Sequence, residues 1–456
     1  MKNSKSITVL FLLFFCCSLQ AQIPSWETMK YGLFVHFVYG EEYGLMTPMT
    51  YKGGEPKDIN DFANNFNVEK FADDVQSMGF EYVIFTAWHA NMNLLYPSKV
   101  MEKWRGAEHT CKRDLLGELF DALLERNIKP CVYTHIWVGN DFHPKGNGYY
   151  YYDNRNGIIT EDQKKTGYPE SVEGNSEIWD NFVNEVYDEM SSRYGEKIAA
   201  YWFDGTWCWH VDKTRIMKTI RKTNKKCAFI GNGTNDQGMP YNSKEVGSPV
   251  GSDYSFEMDY PQVEFDDVTT WPSYERNVAI IQGGNWWASV NGKPKFSAED
   301  VYRYTVLQAG TNNNGGVSWA FAPFVDGNWE GDMLERMKKA YSYMKPIEES
   351  IKNTRASVAY PTPEGSKINN LKWGFVATMS PDRMYHYVHV LCPPKDNVLC
   401  LPEAKNGIEI RKAFLLKDGA ELKLTTRKRR GVKYVIEMPE GFQWDKLNTV
   451  IKLEMW

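Results

Sequence analysis

The sequence lacks the features of a nucleic-acid-binding or metal-binding protein. Lysine and arginine number 53 against 58 aspartates and glutamates, and the resulting net charge of −5 gives no basic surface for phosphate. There are only 8 histidines and 8 cysteines in 456 residues. None of them has the HExxH or CxxC spacing of common zinc sites. We therefore expect no nucleic-acid partner, no metal and no cofactor.

The apolar run over residues 7–15 is too short to span a bilayer. It follows two lysines and precedes the small residue Ala21, which is the layout of a signal peptide over residues 1–21. The sequence therefore predicts an exported protein without a membrane span. A lipid on Cys16 or Cys17 is the alternative, although bulky Phe15 before them is unusual at such cleavage sites.

Six cysteines follow the predicted leader, and sequence alone cannot pair them. Cys392 and Cys400 flank a predicted turn and are the first candidates for a local disulfide.

Aromatic residues, by contrast, are frequent, at 14% of the chain with 16 Trp, 27 Tyr and 23 Phe. Most of them are expected to pack in a large core. Tryptophan and tyrosine also present flat apolar faces with a polar edge, which suits stacking on sugar rings.

Short apolar runs alternate with longer amphipathic ones from Tyr31 to about Met344. Repeated βα units of this kind predict a (β/α)8-type barrel, which we place at residues 22–350. After Pro361 and Pro363 the pattern changes to period-two alternation, as over 450–456. This change predicts a C-terminal all-β sandwich domain at residues 355–456.

The segment Ile198 to Gly205 carries an apolar run directly into the carboxylate of Asp204. An acid that merely caps the next turn would explain this pattern locally. However, the carboxyl ends of parallel barrel strands are where side chains meet a substrate. Asp204 is therefore a candidate functional residue.

Three of the histidines, His36, His89 and His135, fall at the ends of consecutive predicted strands. Trp88 precedes one of them, and Trp207 follows Asp204. Imidazoles bond hydroxyl groups, indole faces stack on sugar C–H surfaces, and a carboxylate can attack an anomeric carbon. These residues therefore predict a sugar-binding site at the barrel mouth.

Hydrolysis of a glycoside requires a second acid, about 5–5.5 Å from the nucleophile in a retaining mechanism. Glu257, Glu264 and Glu275 are the downstream candidates, and the local pattern does not separate them.

Several ordered segments together resemble glycoside hydrolase family 29, the α-L-fucosidases, over nearly the whole chain after the leader. The matching segments are Lys30 to His36, Gly79 to His89, Arg113 to Leu119, Tyr201 to Gly205 and Trp373 to Phe375. The resemblance implies a catalytic barrel followed by a β-sandwich, with Asp204 as the nucleophile and His36 and His89 binding the sugar. It makes Glu257 the first choice for the acid/base and Glu264 the second.

The chain departs from the family pattern after the second strand, where His89-Ala90-Asn91-Met92-Asn93 replaces the usual His-His pair followed by Asp-Gly-Phe. One sugar-binding histidine is thus an alanine, and the aromatic residue is Asn93. Losing a hydrogen bond to a substrate hydroxyl costs about 1–3 kcal/mol, enough to change which sugar is preferred.

We therefore expect an exported retaining exo-glycosidase acting on a glycan or oligosaccharide, with α-L-fucosidase activity as the default and a related sugar as an option. The alternatives are a barrel that binds glycans without hydrolysis and a hydrolase of another mechanism.

Overall fold

The structure is a computed structural model. It describes residues 26–39, 55–89, 93–104, 106–136, 176–206, 211–232, 239, 241–246, 275–280, 294, 296–311, 315–363, 366, 368–429 and 431–456. The predicted leader lies outside these residues, as do the segments that contain Trp207, Glu257 and Glu264.

The first part of the chain forms a closed parallel barrel in which each strand pairs with the next and the eighth pairs with the first. Its strands are β1 (Tyr31–Val35), β2 (Tyr82–Trp88), β3 (Lys129–His135), β4 (Ala200–Asp204), β5 (Ala228–Asn232), β6 (Tyr241–Val246), β7 (Glu275–Ile280) and β8 (Val317–Ala320). This arrangement confirms the barrel that the alternating pattern predicts.

Helices in the described residues are α1 (Ile59–Asn64), α2 (Val68–Ser77), α3 (Lys99–Trp104), α4 (Leu115–Glu125), α5 (Ser176–Tyr194), α6 (Lys213–Arg221), α7 (Ala298–Ala309) and α8 (Met333–Met344). Helix α2 is amphipathic and buries Val68, Phe71, Ala72 and Val75 at helical spacing. The side chain of Asn67 caps this helix by accepting a hydrogen bond from the Lys70 amide.

Barrel strands β1 to β5 and β8 are buried on both faces, because side chains point alternately into the barrel and out toward the helices. On β3, Cys131 and Tyr133 join the apolar cluster inside the barrel, whereas Val132 joins the larger core outside it. On β4, Trp202 lies inside and Phe203 lies outside in the same way. Side chains two residues apart therefore share the barrel interior.

This alternation is interrupted in β2 by a bulge between Thr86 and Trp88, where the pairing with β3 shifts by one residue. Ala87 and Trp88 consequently both belong to the outer core. His89 contacts Tyr133 inside the barrel. In a regular strand Trp88 would point into the barrel and His89 out of it; the bulge reverses both directions.

The C-terminal part forms an eight-stranded antiparallel sheet in the order β12-β15-β14-β13-β16-β11-β10-β9. Its strands are β9 (Arg355–Ala356), β10 (Phe375–Met379), β11 (Tyr385–Val390), β12 (Val398–Pro402), β13 (Ile410–Leu415), β14 (Glu421–Arg429), β15 (Val432–Glu437) and β16 (Thr449–Met455). Strand β14 pairs with β13 at its start and with β15 further along. The two halves of the sheet thereby cover one apolar core, as the period-two pattern predicts.

Buried polar contacts join this sheet to the barrel. The Asn448 amide donates to the Tyr302 hydroxyl of α7 and lies 3.1 Å from Nδ1 of His389. Nε2 of His389 lies 3.1 Å from the carbonyl oxygen of Ser350. His389 therefore has a neutral ring, which donates through Nε2 and accepts through Nδ1.

The disulfide considered between Cys392 and Cys400 is absent from the structure. Neither forms a disulfide, and Cys111 and Cys227 are likewise free cysteines. The Cys392 thiol donates to the Ile368 carbonyl, whereas Cys400 is exposed on β12. Cys392 lies just after β11, whereas Cys400 lies on β12, and these two strands are not neighbours in the sheet, so the short sequence separation was misleading.

Among the described residues, no helix is both long and apolar enough to cross a membrane.

The junction at His389 should make the protein less stable in acid. Burial lowers the pKa of His389 to about 4, partly offset by its bond to Ser350. A histidine in the unfolded chain binds its proton near pH 6.5, so between these values the unfolded state holds more protons than the folded state. The free energy of unfolding should therefore fall by about 1.4 kcal/mol per pH unit for this residue as pH drops from 6.5 toward 4.

Urea denaturation of the wild-type protein and of His389→Gln between pH 4.5 and 8 measures this contribution. In acid, the free energy of unfolding of the variant should fall less steeply with decreasing pH than that of the wild type. Above pH 7.5 the two pH dependences should be parallel. Equal slopes in acid would contradict the assignment.

Candidate active site

Polar side chains from five neighbouring strands meet at the carboxyl-terminal end of the barrel. The contributing strands are β1 to β5, and the residues at or just beyond their ends are His36, His89, His135, Asp204 and Asn232. All are buried or nearly so; the side chain of Asp204 is 13% exposed. The structure thus brings together the three predicted histidines and the predicted carboxylate.

The Asp204 carboxylate accepts three hydrogen bonds, divided between its two oxygens. Oδ1 accepts from the Gly205 amide at 2.7 Å and from Nδ2 of Asn232 at 2.9 Å. Oδ2 accepts from the Tyr133 hydroxyl at 2.7 Å. The donors come from β3, from β5 and from the residue that follows β4, so neighbours on both sides hold the group.

These contacts keep Asp204 ionised. Burial alone would raise its pKa, but His135 and the hydrogen bonds from Tyr133 and Asn232 outweigh burial and lower the pKa below its ordinary value. A buried carboxylate that stays ionised keeps the negative charge that a nucleophile needs.

Aromatic stacking fixes the orientation of Tyr133. Its ring lies between His89 and Trp202, with centroid distances of 5.2 Å on each side and interplanar angles of 11° and 24°. Tyr133 can therefore rotate little, and its hydroxyl stays directed at Asp204.

The three imidazoles form a contiguous group beside the carboxylate. The His36 and His89 ring centroids lie 4.9 Å apart, and those of His89 and His135 lie 5.4 Å apart. Nε2 of His135 is 3.9 Å from Oδ2 of Asp204. Burial lowers the pKa of His135 to about 4 against the opposing effect of Asp204, and burial together with His89 and His135 lowers the pKa of His36 well below its usual range. His36 and His135 are thus neutral at pH 7.

The tautomer of His36 follows from its partner. The Thr86 hydroxyl donates its proton to the Val35 carbonyl at 2.8 Å, so its oxygen accepts from Nδ1–H of His36 at 3.1 Å. Nε2 of His36 is therefore an acceptor, suited to a hydroxyl group.

Trp88 does not face the site, contrary to its prediction as a substrate contact. It is 1% exposed, packs on Tyr187 of α5 at 5.1 Å, and donates from Nε1 to the His135 carbonyl at 2.9 Å. The bulge in β2 turns it outward. Trp88 therefore supports the end of β3 from behind.

Of the remaining predicted residues, the structure describes the backbone position of Glu275 only. Trp207, Glu257 and Glu264 lie outside the described residues. Glu275 is the first residue of β7, whereas Asp204 is the last residue of β4. Because the strands are parallel, Glu275 begins at the opposite end of the barrel, which argues against it as the acid/base.

Asn93, which replaces an aromatic residue of the family pattern, has a structural role. Its amide donates to the Tyr39 carbonyl at 3.0 Å, and its oxygen lies 2.8 Å from Nδ1 of His109. It thereby ties the segment after β2 to the residues that directly follow β1.

Tyr133 and Asn232 are site residues that the sequence interpretation missed. Tyr133 precedes His135 by two positions on β3, so strand periodicity alone could have placed both inside the barrel. Asn232 ends the apolar run of β5, as Asp204 ends that of β4. The same strand-end criterion would have identified it.

Within the described part of the chain, no group of three or more histidine, cysteine or acidic side chains has an arrangement that could hold a metal ion.

Comparison with known proteins gives a consistent result. A family model described as Alpha-L-fucosidase matches residues 16–253. The tissue α-L-fucosidase of Rattus norvegicus is 29% identical over 208 residues, which are 41% of this chain and 40% of that protein. The chain thus matches about two fifths of the length of this curated relative.

Solved structures share the fold over almost the whole chain. Isoenzyme 1 of the Paenibacillus thiaminolyticus α-L-fucosidase has a TM-score of 0.65 at 18% identity, covering 95% of this chain and 98% of that one. A Bacteroides thetaiotaomicron α-L-fucosidase has a TM-score of 0.64 at 18% identity, covering 94% of each chain.

The outward position of Trp88 predicts a stability effect. Trp88→Phe removes the donor to the buried His135 carbonyl and leaves a cavity, so it should lower the free energy of unfolding by about 1–3 kcal/mol. Trp444→Phe is the matched control, because half-buried Trp444 also donates to a carbonyl, that of Asp396. Urea denaturation should show a clearly larger fall in the free energy of unfolding for Trp88→Phe than for Trp444→Phe. Equal falls would mean that Trp88 does not pack between β2 and α5.

Proposed function

Because this chain belongs to the α-L-fucosidase family, glycoside hydrolase family 29, we propose that it is a glycoside hydrolase that removes a terminal sugar with net retention of configuration. The observation that carries the proposal is the buried carboxylate of Asp204 at the end of β4, which accepts hydrogen bonds from Tyr133 and Asn232 and lies beside a contiguous group of three imidazoles. A cap for a turn would need no such surroundings.

Asp204 acts as the nucleophile in this proposal. Its carboxylate attacks the anomeric carbon and forms a covalent glycosyl-enzyme ester, which water then hydrolyses. The description of the related Bacteroides thetaiotaomicron structure names a covalent intermediate trapped with 2-fluoro-fucosyl fluoride in a glutamate-to-glutamine mutant. This supports a two-carboxylate mechanism for the present chain.

The imidazoles of His36, His89 and His135 bind sugar hydroxyls. His36 already donates through Nδ1 to Thr86, so its Nε2 can accept a hydrogen bond from a sugar hydroxyl. The neutral ring of His135 carries one donor and one acceptor nitrogen. Neither carries a positive charge at pH 7 that would compete with the sugar for Asp204. Trp207 would add an indole face, as the sequence suggests.

The proposed sugar is α-L-fucose, with a related sugar as the alternative. The substitution of Ala90 for a family histidine supports keeping the alternative, because it removes one imidazole from the family pattern. His135 is an imidazole from a different strand, beside His89. A panel of aryl glycosides of different monosaccharides would identify the sugar.

A glycan-binding protein without hydrolytic activity is the second candidate function, favoured by the same altered segment. Sugar binding without cleavage of any glycoside on the panel would support it. A carboxyl group within about 6 Å of Asp204 in an experimental structure would argue against it, because a retaining pair needs that spacing.

The proposed location is outside the cytoplasm, through a leader at residues 1–21 that is cleaved after Ala21. Amino-terminal sequencing of the protein recovered from its host would test this; a lipid on Cys16 or Cys17 would instead give a blocked, membrane-associated product.

Removal of the nucleophile should abolish turnover. Asp204→Gly is expected to lower kcat/KM for the best aryl glycoside by at least about 10³-fold. Azide should restore part of the activity, because the small anion can occupy the vacated space and attack from the same face. The product should then be a glycosyl azide of inverted configuration. Unchanged turnover in the folded variant would rule out Asp204 as the nucleophile.

The acid/base is expected to be Glu257, with Glu264 as the second choice. In the correct Glu→Gln variant, substrates with poor leaving groups should lose far more activity than activated aryl glycosides, because only the former need a proton. Glu275→Gln is the control, since that residue begins β7 at the far end of the barrel. The assignment would be contradicted if Glu275→Gln selectively lost activity on substrates with poor leaving groups. It would also be contradicted if neither Glu257→Gln nor Glu264→Gln did so.

A further inference from the structure

The two oxygens of Asp204 have different surroundings. Oδ1 accepts from two N–H groups, the Gly205 amide at 2.7 Å and Asn232 at 2.9 Å. Oδ2 accepts from one O–H group, that of Tyr133 at 2.7 Å. The nearest imidazole nitrogen, Nε2 of His135, is 3.9 Å away, too far for a hydrogen bond.

We propose that Oδ2 is the atom that attacks the sugar, and that Asn232 is a positioning residue that anchors Oδ1. This inference rests on the proposed function, because it concerns the same reaction.

The assignment follows from the lone pairs of the carboxylate. An ionised carboxylate has about two in-plane acceptor positions on each oxygen. Both positions on Oδ1 are used by N–H donors, whereas Oδ2 has one used by Tyr133. Only Oδ2 therefore has a lone pair available for a new bond.

The same contacts suit the product of the first step. A lone pair of Oδ2 forms the bond to the anomeric carbon while the bond from that carbon to the leaving oxygen breaks. The leaving oxygen takes the electron pair and the proton of the acid/base. Oδ1 becomes the carbonyl oxygen of the ester and can keep both N–H donors, so the site need not reorganise.

Asn232 is well placed to hold its position. It ends β5, and its backbone carbonyl accepts a hydrogen bond from the Thr206 hydroxyl at 2.9 Å. A Cβ at the neighbouring Gly231 would come within 2.9 Å of Met239 and 3.3 Å of the Thr206 methyl group, so the backbone there packs closely. Its amide is neutral, so it orients Asp204 without cancelling the negative charge that attacks.

Two isosteric substitutions test the role. Asn232→Leu removes the donor, and Asn232→Asp replaces it with a second carboxylate. We expect kcat to fall about 10- to 100-fold in Asn232→Leu with KM changed less than about threefold, because a hydrogen bond to a charged group is lost. Ile230→Val, one layer deeper on the same strand, is the control and should retain turnover within about twofold.

The pH profile distinguishes positioning from a general structural defect. Loss of the donor should raise the pKa of Asp204, and a like charge should raise it further. The acid limb of kcat/KM should therefore move to higher pH in the order wild type, Asn232→Leu, Asn232→Asp. Unaltered kcat and an unaltered acid limb in Asn232→Leu would overturn the positioning role while leaving the proposed function intact.

The attacking atom can be seen directly. In a crystal structure of wild-type protein inactivated by a 2-fluoro glycosyl fluoride, the sugar should be bonded to the oxygen that Tyr133 contacts. A sugar bonded to the oxygen beside Asn232 would overturn the assignment. If the wild-type protein neither cleaves a glycoside on the panel nor reacts with the fluoride, the proposed function itself has failed.

Discussion

The burial of one ionised carboxylate is the constraint on which the rest of the site depends. Transfer of a carboxylate away from water costs several kcal/mol unless hydrogen bonds and charges compensate. Here the compensation comes from Tyr133, Asn232 and the Gly205 amide. Two of these donors lie on the strands either side of Asp204. The charge is therefore stable only when β3, β4 and β5 pair in the observed register, since a slip of one residue would turn each side chain to the other face.

The aromatic residues inside the barrel hold the side chains around Asp204 in fixed orientations. His89, Tyr133 and Trp202 stack in succession, so the Tyr133 hydroxyl is held by ring packing as well as by its hydrogen bond. The bulge in β2 makes the stack possible because it brings His89 inside and places Trp88 outside. Both residues contribute, one as a ring in the site and the other as a support behind β3.

The C-terminal sheet packs against the outside of the barrel part. Its contacts with the barrel part include hydrogen bonds to Tyr302 of α7, to Ser350 after α8 and from Arg303 of α7. Val376, Tyr387, Leu391 and Val450 of this part also belong to the apolar core around the barrel. These contacts support a structural role, in which the sheet covers the outer helices while the site remains at the strand ends.

The sequence by itself determined the (β/α)8 barrel, the all-β second part and the meeting of Asp204 with three histidines. Periodicity and strand-end position are local properties of the chain, and each strand end carries its residue to the same face. Only the tertiary structure decided that Trp88 points outward, that Tyr133 and Asn232 hold the carboxylate, that Glu275 begins at the far end of the barrel and that Cys392 and Cys400 stay apart. Each of these depends on pairing between segments distant in sequence. A bulge is a mismatch between two strands. The local pattern can place Tyr133 and Asn232 at strand ends, but it does not show that each bonds a carboxylate 71 or 28 residues away.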